Sequence, residues 1–173
     1  MKKNRLFAAV TAAALALSLA ACGSAPASTA STGASASGSA DGESFKVGIV
    51  HYTSHSSLDE ICTAIQSELT ALSEESRAAG GPAIEFEVQN GQADTATLND
   101  ICKLFVPQGV GLIMPLATPA ATAAAAAVQG TDIPLVYSAV TDPVGAQLAD
   151  SMDAPGQNMT GTSDYIDTNK ILD

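Results

Sequence analysis

The feature that most restricts this chain is an alternation of short apolar runs with longer amphipathic stretches, beginning at Phe45. Residues 46–52 (KVGIVHY) form an apolar run suited to a central strand. Over 57–77, Leu58, Ile61, Cys62, Ile65, Leu69 and Leu72 recur on one stripe at helical spacing, and Ser57 with Glu60 has the layout of a capping box. Gly80-Gly81-Pro82 ends that helix. Over 83–89 the pattern changes to strict alternation, with Ile84, Phe86 and Val88 on one face and Glu85 and Glu87 on the other. Such a strand belongs at a sheet edge, where its charges discourage further pairing.

The alternation then repeats. Asp94 is expected to cap a second helix with Leu98, Ile101, Cys102 and Phe105 inward, and 109–116 is apolar nearly throughout, as in a strand covered on both faces. Thr118-Pro119 opens an alanine-rich helix running to Gly130, and 132–139 reads as a fourth strand. Asp142-Pro143 is expected to start another helix that stops before Pro155-Gly156; 158–165 is extended, and 168–173 begins a further helical segment. Strand–helix repeats of this length imply an α/β fold, a doubly wound parallel sheet with right-handed crossovers. The charged second strand at the edge gives the order 2-1-3-4-5. Ligands in such sheets lie beyond the carboxyl ends of the strands, at the switch point between the first and third. The loops at 53–56, 90–93, 117–119 and 140–142 are therefore the candidate site.

Ahead of this region the sequence has a different character. Lys2, Lys3 and Arg5 precede an apolar run over 6–20 that is too short for a comfortable membrane span, and Leu19-Ala20-Ala21-Cys22 has the layout of a bacterial lipobox. Residues 1–21 accordingly read as a lipoprotein signal peptide and Cys22 as the lipid-modified residue; the alternative is an ordinary secretory signal with an incidental cysteine. Residues 22–43, rich in Ser, Ala and Gly, make a flexible linker with a reach of roughly 25 Å. The expected location is the extracytoplasmic face of the bacterial cell membrane, held by the lipid alone. What remains is enough for one domain. The formal net charge of −11 becomes more negative once the signal's cations are gone, which leaves Lys46, Arg77, Lys103 and Lys170. Nucleic-acid binding and docking on anionic lipid are therefore excluded as expectations.

Two helix starts face the candidate crevice. With Thr118 as N-cap and Pro119 first in the helix, the N–H groups of Ala120 and Ala121 are free to hold a carboxylate. The same Thr-Pro pair also starts helices that bind nothing. Asp142 before Pro143 repeats the geometry with a carboxylate at the mouth, suited to an ammonium group, although Asp is a common cap in its own right. One donor-rich end beside one acceptor-rich end is what a zwitterionic amino acid needs. Thr53, Ser54 and His55 can line the first loop, Asn90 and Gln92 the second, and Thr141 lies beside Asp142. A Ser-His-Asp site can be written from Ser54 or Ser56, His51 or His55, and Asp59, but no nucleophile elbow, P-loop, dinucleotide fingerprint or zinc spacing accompanies it. No cofactor or metal is implied. Cys62 and Cys102 fall on the apolar stripes of helices expected on opposite faces of the sheet, so both are read as buried thiols and a disulfide as the minor alternative.

Several segments together resemble the first lobe of ABC-transporter substrate-binding lipoproteins of the tryptophan/tyrosine type, a type I solute-binding fold. They are Lys46-Val47-Gly48-Ile49-Val50, the stretch from His55 to Leu58-Asp59, Asn90-Gly91-Gln92-Ala93-Asp94, Ala117-Thr118-Pro119-Ala120-Ala121, Ala139-Val140-Thr141-Asp142-Pro143-Val144, and 158–165 (NMTGTSDY). The fourth and fifth are the most specific. His51 departs from the glutamine expected there. The resemblance implies capture of an amino acid-like solute, aromatic or apolar, and delivery to the permease and ATPase of an importer by a monomeric, lipid-anchored protein. It divides the chain into lobe I over 44–161 and a hinge with the start of lobe II over 162–173. It adds Asp164 to the ligand-binding candidates, and suggests a chain cut short after its first lobe. The competing readings are a secreted α/β hydrolase-like enzyme and a complete lobe-like surface lipoprotein.

Overall fold

The computed structural model describes residues 44–156 and 158–165. The segments read as signal peptide, linker with Cys22 and helical start at 168–173 lie outside the described residues, as does the expected hinge beyond Tyr165. The described elements are β1 (Phe45–His51), α1 (Ser56–Ala78), β2 (Ile84–Asn90), α2 (Thr95–Phe105), β3 (Leu112–Leu116), α3 (Thr118–Ala127), β4 (Leu135–Tyr137) and β5 (Met159–Gly161). The five strands form one sheet in the order β2-β1-β3-β4-β5, parallel throughout. That is the order inferred from the charged second strand.

Two cores follow from the crossovers. On one face α1 brings Cys62 and Leu69 onto Val47, Ile49 and Leu116. On the other, α2 and α3 bring Leu98, Cys102, Phe105, Ala120 and Ala124 onto Val50, Ile113 and Leu135. Cys62 and Cys102 thus lie in different cores as free thiols. Burial pushes both thiols up, Cys102 from 9.0 to about 11. Gln66 donates to the Cys62 sulfur and partly offsets its rise, while the nearby Asp59 carboxylate adds to it.

Local chemistry fixes the ends of the elements. Helix α1 closes in a Schellman arrangement, with Gly80 at φ 79°, its N–H donating to Arg77 O and the Gly81 N–H donating to Ser76 O. Its start differs from the capping-box reading. The N-cap is His55, whose Nδ1 accepts from the Ser57 N–H, so Ser57 lies inside the first turn. Leu72 also leaves the inward stripe and is 48% exposed. The buried residue there is Ser73, whose Oγ accepts the Ile84 N–H at 2.8 Å, because the first amide of the edge strand has no strand partner on that side. Asp94 caps α2 as expected, accepting from the Thr97 N–H at 2.6 Å.

The segment after β4 departs from expectation. Residues 143–147 form a turn and no helix. The Leu148 and Ala149 N–H groups both return to Pro143 O, and Gln147 at φ 59° reverses the chain. That reversal carries Leu148, 1% exposed, into a cluster with Ala121, Tyr137 and Val140. Burying one leucine is worth about 1.5–3 kcal/mol, more than another turn of unsupported helix would supply.

Candidate functional site

The carboxyl ends of the strands finish level. His51 pairs in register with Asn90 on one side and Leu116 on the other, and Leu116 bridges to Ser138. Hydrogen bonds then join the loops beyond. The Gly91 and Ala93 N–H groups donate to His51 O and Tyr52 O, each at 2.8 Å, and Asn90 Nδ2 donates to Ser54 Oγ at 2.9 Å. Ala117 N–H donates to Ser138 O at 2.9 Å, Val140 N–H to Thr162 O at 3.3 Å, and Ser163 Oγ to Thr141 O at 3.1 Å. The expected loops therefore form two bonded groups, one after β1 and β2 and one after β3, β4 and β5, which together make the rim of the carboxyl edge where β1 pairs β3.

That rim is strained. Gln92 (φ 53°), Ala93 (φ 60°), Ala117 (φ 72°) and Ala139 (φ 54°) are non-glycine residues in left-handed backbone, and all four lie there. Each such residue costs about 1–3 kcal/mol, and strain of this kind gathers where loops must hold a functional shape.

The candidate residues play distinct parts. Thr53 is half-buried and Ser54 exposed. His55 is spent on capping α1. Asn90 is committed at both ends, since its Oδ1 also accepts the Gln92 N–H at 2.7 Å; it shapes the rim, while the Gln92 side chain is exposed. Thr118 is not the N-cap of α3. Ala117 takes that position, and Thr118 is the first helical residue. Ala117 O accepts from the Ala121 N–H, so Ala121 offers no free donor. The Thr118 and Ala120 N–H groups, among the described residues, take no backbone acceptor. Ala120 and Ala121 are fully buried while Thr118 is half-buried, so the Thr118 N–H is the more accessible donor at this helix end.

Asp142 begins a turn in place of a helix. Its Oδ1 accepts the Gly145 N–H at 2.8 Å, and the residue is exposed, as are Thr141 and Asp164. A single turn has little dipole, so the negative character here comes from the carboxylate itself. The two ends still follow neighbouring strands on one edge of the sheet: donors at the start of α3, an acceptor at Asp142.

Sequence reasoning missed one feature outright and the setting of another. A cavity of about 230 Å³ lies against β4 and β5, lined by Tyr137, Pro143, Ser151, Met152 and Thr160 among others, and the only sequence hint was the Pro-Gly break beneath it. The second is His51, which ends an apolar strand. It is 7% exposed, and its Nδ1 is buried without a hydrogen-bond partner, 3.9 Å from Asp59 Oδ1. No serine hydroxyl among the described residues bonds to either histidine in the way a nucleophile requires. Ser54 is held by Asn90, and Ser57 merely caps with His55. No group of three or more potential metal ligands occurs among the described residues, and no described helix is long and apolar enough to cross a membrane.

A family model for ABC transporter substrate binding proteins matches residues 46–173. The chain belongs to that family. That family is one of solute-binding proteins, not of enzymes. The chain is 39% identical over 127 residues to a tyrosine-binding protein of Clostridioides difficile (strain R20291), covering 73% of this chain and 35% of that one. Among solved structures it is similar to an ABC domain in complex with L-Trp from Streptococcus pneumoniae, with a TM-score of 0.61 and 32% identity over 71% of this chain and 39% of that one. It is also similar to a ligand-free, open substrate-binding protein with adhesive properties from Clostridium difficile, with a TM-score of 0.60 and 35% identity over 73% and 41% of the two chains. This substrate-binding protein thus spans about two fifths of the length of the relatives it matches.

Proposed function

We propose that the protein captures an amino acid with an aromatic or large apolar side chain at the carboxyl edge of its sheet and delivers it to the permease of an ABC importer. The observation that carries this reading is the pairing of donors at the start of α3 with the Asp142 carboxylate on adjacent strand ends. An α-carboxylate fits the first and an α-ammonium the second. The tyrosine-binding relative and the L-Trp complex support the choice of side chain. Thr53, Ser54 and Gln92 border the same rim, and Asp164 stands where the chain leaves β5. The opposing wall of the site belongs to a second lobe, which closes over the solute and excludes water. The protein works outside the cytoplasm as a monomer, attached by lipid at Cys22 with residues 22–43 as its leash.

The test is thermal unfolding of the intact protein with each of the twenty amino acids. A ligand at about a hundred times its Kd adds about 2.7 kcal/mol of stability, readily seen as a rise in Tm. L-tyrosine or L-tryptophan should give that rise. A flat response to every amino acid, with turnover of an ester substrate, would overturn the reading in favour of an enzyme. For the anchor, Cys22→Ser should release the protein from the membrane fraction.

A further inference from the structure

His51 and Asp59 form a pair separate from the donor and acceptor ends at α3 and Asp142. His51 is the last residue of β1, at the switch point between β1 and β3, and sits beneath the first turns of α1. Its side chain retains 9% exposure, none of it at Nδ1, which is enclosed and unpartnered. The accessible part of the residue therefore lies away from Nδ1. Asp59, half-exposed and anchored through its own backbone N–H to His55 O, holds a carboxylate oxygen 3.9 Å from that enclosed nitrogen. A neutral imidazole carries its proton on one nitrogen and a lone pair on the other. A carboxylate facing Nδ1 favours the proton there, and closing the remaining gap needs only a small rotation of an exposed side chain.

We propose that His51 is a specificity-determining residue: Asp59 fixes the proton on Nδ1, and Nε2 is left as a hydrogen-bond acceptor for a solute whose side chain ends in an O–H or N–H donor. The proposal rests on the amino-acid reading above and narrows it to side chains such as a phenol or an indole, against a bare phenyl ring. A site built around a buried acceptor discriminates strongly against an analogue that leaves it unpaired.

Two measurements on the intact protein test it. The first is nitrogen-15 NMR of the histidine rings without ligand. His51 should show the Nδ1–H tautomer, and Asp59→Asn, which presents an amide donor to the same nitrogen, should move it toward Nε2–H. The second is calorimetric titration with L-tyrosine, L-tryptophan and L-phenylalanine. The native protein should favour a donor-bearing ligand over L-phenylalanine by about tenfold or more, and His51→Leu should collapse that ratio while L-phenylalanine affinity changes by less than about threefold. An unchanged ratio in His51→Leu, or an Nε2–H tautomer in the native protein, would overturn the proposal. If the variant does not fold, the native tautomer alone decides. Loss is distinguishable from failure of the broader reading, because that failure appears as no amino-acid binding by the native protein.

Discussion

Phe105 of α2 lies flat over Gly48 of β1, so close that a methyl group at Gly48 would sit 2.7 Å from the ring's Cδ2. Gly48 is fixed in a central strand and Phe105 is 1% exposed in a packed core, so neither can yield cheaply. Gly48→Ala should cost about 1–3 kcal/mol by overpacking. Thermal melts should show a lower Tm, and the double variant with Phe105→Leu should recover part of it. A neutral Gly48→Ala would mean that α2 rides higher on the sheet.

Ala117 is held at φ 72°, ψ 154°, a conformation almost confined to glycine. It is held because its N–H bonds Ser138 O while its carbonyl accepts the Ala121 N–H of α3. Ala117→Gly should relieve the strain and raise stability by about 1 kcal/mol, whereas Ala117→Val should lower it by at least as much. Denaturant unfolding of the three proteins ranks them directly.

The Asp94 carboxyl is held below its ordinary value of 3.8, chiefly by the backbone N–H of Thr97 and then by the Thr97 side chain. A lowered folded-state value means that this cap stabilises α2 fully above about pH 4 and loses its effect as pH falls through the lower folded value. Asp94→Asn keeps a capping acceptor without the titration. The acid limb of its stability curve should therefore be shallower than that of the native protein, with little change at neutral pH.

Cys102 behaves in the opposite sense. Burial raises its thiol from 9.0 to about 11, so between those values the unfolded chain releases a proton that the folded chain keeps. Its contribution is complete below pH 9.0 and is lost as pH rises toward the folded value. At pH 8 an alkylating reagent should label Cys102 only as fast as the protein opens, and added denaturant should accelerate both together, as read by mass spectrometry.

Sheet order was legible because Glu85 and Glu87 alternate with Ile84, Phe86 and Val88, which leaves that strand only an edge position. The two-faced placement of Cys62 and Cys102 followed from crossover handedness. The helix caps were legible only where a side chain does the capping, as at Asp94. At α3 the cap is the carbonyl of Ala117, a backbone role invisible in the residue type, so Thr118 drew the assignment. The turn after Asp142 was misread for a related reason. Asp-Pro starts a helix and a single turn equally well, and the burial of Leu148 that chooses between them is a long-range fact. His51 was named in the sequence, as a departure from the expected glutamine and beside Asp59 in a possible Ser-His-Asp site, but the burial of its Nδ1 and the approach of Asp59 across a strand–helix boundary are long-range facts.

The account as a whole turns on the Asp142 carboxylate meeting an ammonium group. Calorimetric titration of L-tyrosine into the intact protein and its Asp142→Asn variant tests this most directly, because asparagine still accepts the Gly145 N–H and preserves the turn. The account predicts equal melting temperatures, a loss of affinity of about tenfold or more in the variant, and no measurable binding of N-acetyl-L-tyrosine to either. Equal affinity of the two proteins for L-tyrosine, or binding of the acetylated compound as tightly as the free amino acid, would contradict it.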